Sequence, residues 1–374
     1  MVSAPADSQV LDRAVVAVDA STPGVADLLQ QIAELVVGAG AYLDPRLVLL
    51  EREGHVTLAT AEGPADTPFI SLPRTTLIPV DGLVWDDTAL DVTLLNGIDT
   101  LTPLQRDLLE LHVSMWNATG KRPEFLGSHP KAAAVDDPGL LDVVRAVRPS
   151  FVADGSTSAL LRTRTFALRR TESTPGEASP TISVVMPILE LADHHPDGAP
   201  YRFEDDRLGA NFQWCDESPL TYVRYGPMRD SIDLACQYGF VTGAPTFFVS
   251  APLTLDLDGH GALHIQRALN RRQAPVWTND ESGLWVTYLP LDVEVGLFDG
   301  LFSPVRAYLD KCGVGRSLSR SLAMRACTTV LQLNADLVET IHTSASQSHH
   351  GGGRLLAEAA AEQWRVITEV EARA

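Results

Sequence analysis

Residues 222–241 read YVRYGPMRDSIDLACQYGFV, and the parsing of the whole chain hangs on that stretch. A strand-like run closes on Tyr225-Gly226, a helix-like SIDLACQ segment with an acidic residue follows, and the stretch ends in Tyr238-Gly239-Phe240. Such a short pattern arises by chance often enough that its neighbours must be read with it.

Upstream, 182–195 reads ISVVMPILELADHH, a hydrophobic strand, a proline, then an acidic and histidine-bearing turn. Before it, 161–168 reads LRTRTFAL, with Thr163, Arg164 and Phe166 at its centre. Nearer the start, 53–59 reads EGHVTLA, and Ile70-Ser71-Leu72-Pro73 follows.

Taken in this order, these segments resemble the SET-domain methyltransferases, in particular the subclass typified by the Rubisco large-subunit lysine methyltransferase. Glu53-Gly54-His55 with Ala59 resembles the strand that opens the SET fold. Pro187, Glu190, Leu191, Asp193 and His194 match its Pro and Asp-Leu-x-Asn-His positions, Arg164 its Ser-Arg-x-Phe arginine, and Tyr238 its Tyr-Gly-Phe tyrosine. The resemblance implies an α+β protein, a SET-like β-fold with a helical insertion followed by an α-helical C-terminal domain. Its boundaries are expected as a helical lead-in over 1–43, SET parts at 44–90 and 151–261, an insertion at 91–150, and a substrate- or partner-docking domain at 262–374.

At 374 residues the chain exceeds one small domain and fits roughly two or three folding units. Its formal charge of −19 argues against a general nucleic-acid binder, which needs a basic surface. The four cysteines, Cys215, Cys236, Cys312 and Cys327, have neither Cys-x-x-Cys nor Cys/His ligand spacing, so buried free thiols are expected, without zinc or disulfides. The Rubisco-type subclass likewise lacks the zinc-bound cysteine cluster of many histone-directed relatives. No stretch approaches the eighteen or so apolar residues that span a bilayer, and no targeting pattern opens the chain, so a cytoplasmic protein without membrane contact is expected.

The apolar spacing Val25, Leu28, Leu29, Ile32, Leu35, Val36 predicts a helix, with Ser21 or Thr22 as N-cap and Pro23 near its first position. The runs 47–50 and 56–59 predict paired strands. Helical periodicity follows to 149, clearest over 101–116, where Thr102 and Gln105 suit a capping box. The polar stretch 171–181 reads as a loop between two strands, and 253–257 as a strand before a turn at Asp258-Gly259. Beyond 262 the pattern predicts helices, clearest over 301–309, 322–337 and 355–370, with SHHGGG at 348–353 as a flexible break.

Methyl transfer from S-adenosylmethionine to an amine is an in-line displacement at the sulfonium methyl carbon, so the amine must be held in line and unprotonated. A lysine amine, with a solution pKa of about 10.4, is charged at neutral pH and loses its proton more readily on desolvation or beside a positive charge. The resemblance places Tyr238 against the transfer channel as the catalytic tyrosine. It assigns Glu53, Gly54, His55, Glu190, Asp193, His194 and Tyr238 to the S-adenosylmethionine site, and Arg164 and Tyr225 to a protein, peptide or small-amine substrate. Read alone, Tyr238 is a packed sheet-edge tyrosine, Arg164 a strand arginine, and His194-His195 a polar turn rather than a metal site.

The chain departs from the subclass at Val56, where the opening motif has its second glycine, at Asp193, where it has asparagine, and at Leu168, where it has a second arginine. After Phe240 the run TGAPTFF also lacks the usual Asn-x-x-Asp. Two other readings therefore stay open: a catalytically degenerate SET-like binding module, and a SET-like cleft turned to another ligand or reaction. No feature of the sequence specifies an oligomeric state.

Overall fold

The hairpin read at 47–59 forms as expected, strand Leu47–Arg52 pairing antiparallel with His55–Thr60, with Arg52 opposite His55. That register leaves Glu53 (φ 53°) and Gly54 (φ 84°) as a two-residue turn, whose left-handed backbone matches the twist of the flanking strands. The computed structural model describes residues 16–60, 69–86, 89–169, 181–212, 219–225, 229–242, 245–267, 275–293 and 297–373. The chain divides into two units, each drawn from two stretches: unit 1 from 1–120 and 165–224, unit 2 from 121–164 and 225–374.

Unit 1 is strand-rich. Ala17–Ala20 adds in parallel to the hairpin. A second sheet runs in the order Arg202–Glu204, Arg207–Asn211, Phe69–Pro73, Tyr42–Leu43. Thr165–Arg169 pairs antiparallel with Thr181–Val185, as the sequence predicted; of the expected loop 171–181, Thr181 belongs to the strand and 171–180 lie outside the described residues. Asp193–Pro200 runs parallel to Tyr222–Arg224, with His194 and Ala199 both opposite Val223 and the residues between them bulging out. A Cβ at Gly198 would lie 2.6 Å from the Val223 carbonyl carbon, so the bulge admits only glycine there.

Helix α1 (Val25–Gly38) buries Val25, Leu29, Ile32 and Val36, a single apolar stripe. Its start corrects the sequence reading. The helix begins behind Gly24 at φ 79°, not at Ser21 or Thr22. Those two residues instead turn both amides and both hydroxyls onto the buried carboxylate of Glu51, a partner some thirty residues away that no local pattern announces. Helix α2 (Pro103–Ala118) carries the expected capping box: Gln105 N–H donates to Thr102 Oγ1 at 3.3 Å, and Thr102 N–H to Gln105 Oε1 at 3.1 Å.

Unit 2 contains α3 (Lys121–Ser128), α4 (Pro130–Asp136), α5 (Pro138–Val147), α6 (Thr157–Thr163), α7 (Ser231–Tyr238), α8 (Ser303–Lys311), α9 (Arg316–Ser346) and α10 (Gly351–Ala372). Helix α9 packs against α10, α8 and α5, burying Leu322, Cys327, Val330, Val338 and Ile341. The expected helical pattern from 262 onward is overturned as far as residue 292. Strands Leu253–Asp256, Ala262–Gln266, Gly283–Thr287 and Val276–Asp280 form a sheet, and Pro290–Asp292 pairs with Phe247–Val249. Leu263 and Ile265 are buried while His264 and Gln266 are not, a period of two that five-residue strands show too briefly to stand out from helical spacing.

The glycine run also differs from its reading as a flexible break. Gly351, Gly352 and Gly353 form the first turn of α10, behind His350 as N-cap. A Cβ at Gly351 would lie 2.3 Å from the Gly127 carbonyl oxygen, and one at Gly352 2.4 Å from that of His129. The glycines serve close backbone packing, not mobility. With strand-rich unit 1 and a unit 2 that ends in α8, α9 and α10, the chain is α+β. Among the described residues no helix is long and apolar enough to cross a membrane.

Candidate functional site

The residues singled out by sequence fall into both units. In unit 1, the turn at Glu53-Gly54 is fixed by Glu51, which accepts from the Gly54 amide at 2.6 Å as well as from Ser21 and Thr22. Burial alone pushes the Glu51 carboxyl up, but the Thr22 and Gly54 amides and the Thr22 and Ser21 hydroxyls outweigh it and bring it down to about 2. Gly54 is thus committed through its amide, and a Cβ there would stand 3.0 Å from the Thr119 carbonyl oxygen. Glu53 is exposed, and Val56 is buried in the strand that follows.

His55 and Asp193 meet. The His55 Nε2 lies 3.3 Å from Asp193 Oδ2, and Thr57 Oγ1–H donates to the same oxygen at 2.7 Å. His194, half-buried, sits opposite Val223 in the parallel pair. Glu190 turns inward: its buried carboxylate accepts from Trp116 Nε1 at 3.2 Å and lies 4.0 Å from His112 Nε2. Just before it, Ile188 has φ 67° and ψ −50°, with the Leu189 amide donating to the Pro187 carbonyl at 2.8 Å. A tight three-residue turn at a buried β-branched residue is strained, and its place between the proline and Glu190 marks a segment whose path is forced by its surroundings. Among the described residues no group of three or more His, Cys, Asp or Glu side chains could hold a metal ion.

In unit 2, Tyr225 and Tyr238 come together across the twelve residues that separate them. Their ring centroids are 4.9 Å apart, and Phe240 completes the group at 5.8 Å from Tyr225 and 6.2 Å from Tyr238. Two features place Tyr238. It ends α7, and Gly239 closes that helix at φ 79°, where a Cβ would also strike His129 Cδ2 at 2.7 Å. Among the described residues the Tyr238 hydroxyl has no hydrogen-bond partner. Gly226 lies outside the described residues.

Arg164, read as a strand residue, is instead the C-cap of α6, its amide donating to the Leu161 carbonyl at 3.1 Å. The Thr163 hydroxyl bonds the Leu160 carbonyl and holds the last helical turn, so the strand starts only at Thr165. Leu168, at the subclass's arginine position, is buried. Cys236 and Cys327 are buried thiols pushed up to about 12 by burial, whereas Cys312 is exposed and Cys215 lies outside the described residues.

The sequence reading missed the charges beneath Tyr238. Asp230 caps α7 by accepting from the Asp233 amide at 2.8 Å, and also accepts from the Val249 amide at 3.0 Å and Arg267 Nη2 at 2.8 Å. Asp233 is bound by Arg148 and by Arg267 at 3.0 Å. Burial pushes the Asp233 carboxyl up, but the Arg267, Arg148 and Arg229 guanidiniums hold it below its usual value. Arg229 lies over the Tyr238 ring, its Cζ 5.4 Å from the centroid, and its Nε–H donates to the Tyr225 carbonyl at 3.0 Å. The N-capping pattern Asp-x-x-Asp was the one local signal for Asp230; Arg148 and Arg267, distant in sequence, had none.

No family model matches the chain, and no curated protein matches it. Among solved structures, that of Rubisco LSMT bound to AdoMet aligns over 92% of this chain and 91% of that chain, at 12% identity and a TM-score of 0.39. At that distance, residue roles rest on this chain's own side chains.

Proposed function

We propose that this chain is a SET-like, S-adenosylmethionine-dependent N-methyltransferase acting on a lysine side chain or a related amine. The observation that carries the reading is the convergence of Tyr225, Tyr238 and Phe240, with the Tyr238 hydroxyl unengaged among the described residues. Three aromatic faces make a desolvating surface for an alkyl amine, and a free phenol oxygen can take a hydrogen bond from it, orienting its lone pair. S-adenosylmethionine, when bound, supplies an activated methyl group on a sulfonium. In unit 1, Asp193 fits the donor's ammonium best, since its half-exposed carboxylate keeps acceptor capacity beyond Thr57 and His55. Gly54 and Glu190 serve the unit's own interior.

Those last commitments, with the buried Val56, favour a second reading in which the SET-like frame persists as a binding module without methyl transfer. Calorimetric titration with S-adenosylmethionine and, separately, S-adenosylhomocysteine decides between them. Binding of either in the micromolar range supports the methyltransferase reading; no detectable binding of both sinks it and leaves the binding module.

A further inference from the structure

A cluster of aromatic faces by itself attracts cations, including the ammonium form of an amine. In this chain the Tyr238 face already carries one. The Arg229 guanidinium sits over it and is anchored by the Tyr225 carbonyl, so its charge is fixed at the cluster and not swinging in solvent.

Among the described residues, the charged groups around it sum to a net positive charge. Asp233 attracts Arg229 as well as Arg148 and Arg267, but the two carboxylates at the start of α7, Asp230 and Asp233, are already matched by Arg148 and Arg267, so counting Arg229 leaves one positive charge in excess. His129, which packs against Gly239 from α4, is kept neutral by burial. Tyr288, raised by burial, is a neutral phenol. Lys131 lies near Cys236 on the α4 side and can only add positive charge. Helix α10 also packs on α7, and its buried face, Leu356, Ala357, Ala360 and Val366 among it, is uncharged.

We infer that Arg229 is a specificity-determining residue, which makes the Tyr225–Tyr238–Phe240 cluster admit a neutral amine and turn away a cation. The role in catalysis rests on the methyltransferase reading; the charge preference itself does not. A second positive charge brought to the same rings feels the guanidinium at close range, a repulsion of about tenfold in affinity at the effective dielectric of a half-buried site. For an acceptor amine the same repulsion shifts the balance toward the unprotonated form that methyl transfer requires. A fixed-charge trimethylammonium product would be repelled in the same way.

The probes are choline and its neutral carbon isostere, 3,3-dimethyl-1-butanol, followed by the ring signals of Tyr225 and Tyr238 in nuclear magnetic resonance titrations. The wild-type chain is expected to bind the neutral probe at least as well as choline. Arg229→Gln should raise choline affinity about tenfold and leave the neutral probe within about twofold, while Arg229→Lys, which keeps the charge, should retain the wild-type order. Tighter binding of choline than of its isostere by the wild type overturns the inference, whatever the variants do. So does an unchanged ratio in Arg229→Gln, or failure of both probes to move either ring. None of these readouts involves the methyl donor, so loss of the methyltransferase reading in calorimetry and loss of this inference are separate results.

Discussion

His129 joins three local demands in one imidazole. Its Nδ1 accepts from the Lys131 amide at 3.1 Å and so caps α4, its ring packs tilted against Phe125 with centroids 4.8 Å apart, and its edge fills the space left by the missing side chain of Gly239. Burial holds the ring neutral and, with the nearby Lys131 charge, takes it from 6.5 down to about 3, against a smaller opposing pull from the Gln237 carbonyl. The folded chain therefore refuses a proton that the unfolded chain accepts. Stability from this group is complete above about pH 6.5 and declines as the pH falls toward about 3, by roughly 1.4 kcal/mol per pH unit. Urea denaturation of the wild type between pH 7 and 4.5 is expected to show that slope. His129→Asn, which keeps an N-capping acceptor, should remove that component; an unchanged slope in the variant would assign it elsewhere.

Helix α7 is eight residues long, too short to be stable in water by itself, yet it ends in Tyr238. Its N-terminus is held by Asp230, Asp233, Arg148 and Arg267, and Arg267 also donates to the Val147 and Val249 carbonyls, both at 3.2 Å. Gly239 closes the other end. Removing one member leaves a buried charge unanswered, so Arg267→Met should cost about 3–5 kcal/mol in chemical denaturation. Asp230→Asn together with Arg267→Met should cost less than the two single changes summed, with a coupling of about 1–3 kcal/mol in a double-mutant cycle. Strict additivity would show that the ion pair is not what fixes the helix.

Each unit takes its residues from both halves of the chain, so neither can be cut out at one point. Unit 2 draws its core from 121–164 as well as from 225–374: Leu140, Val144, Val147 and Phe151 join Ile232, Phe248, Leu301 and Val330 in one buried cluster. A fragment of 225–374 lacks those residues, together with Arg148 and His129. It is expected to show helical circular dichroism without a cooperative unfolding transition, and linking 121–164 to it should restore cooperativity. A sharp transition in the shorter fragment would show that the C-terminal segment carries its own core.

How much was legible from sequence follows the range of the forces involved. The α2 capping box, the 47–60 hairpin, the strand at 181–185 and the late helices depend on residues within a few positions of one another, and periodicity with turn chemistry exposes them. The family resemblance of 222–241, not periodicity, singled out Tyr225, Tyr238 and Phe240, and it did not show that their rings would meet. What only the tertiary structure decided lies between distant residues. Ser21 and Thr22 answer Glu51, Arg148 answers Asp233 across 85 positions, and a triple glycine becomes a helix start because another backbone presses on it. Local conformational preference is written in adjacent residues, whereas pairing a buried charge or fitting one backbone against another depends on partners that the fold alone brings within reach.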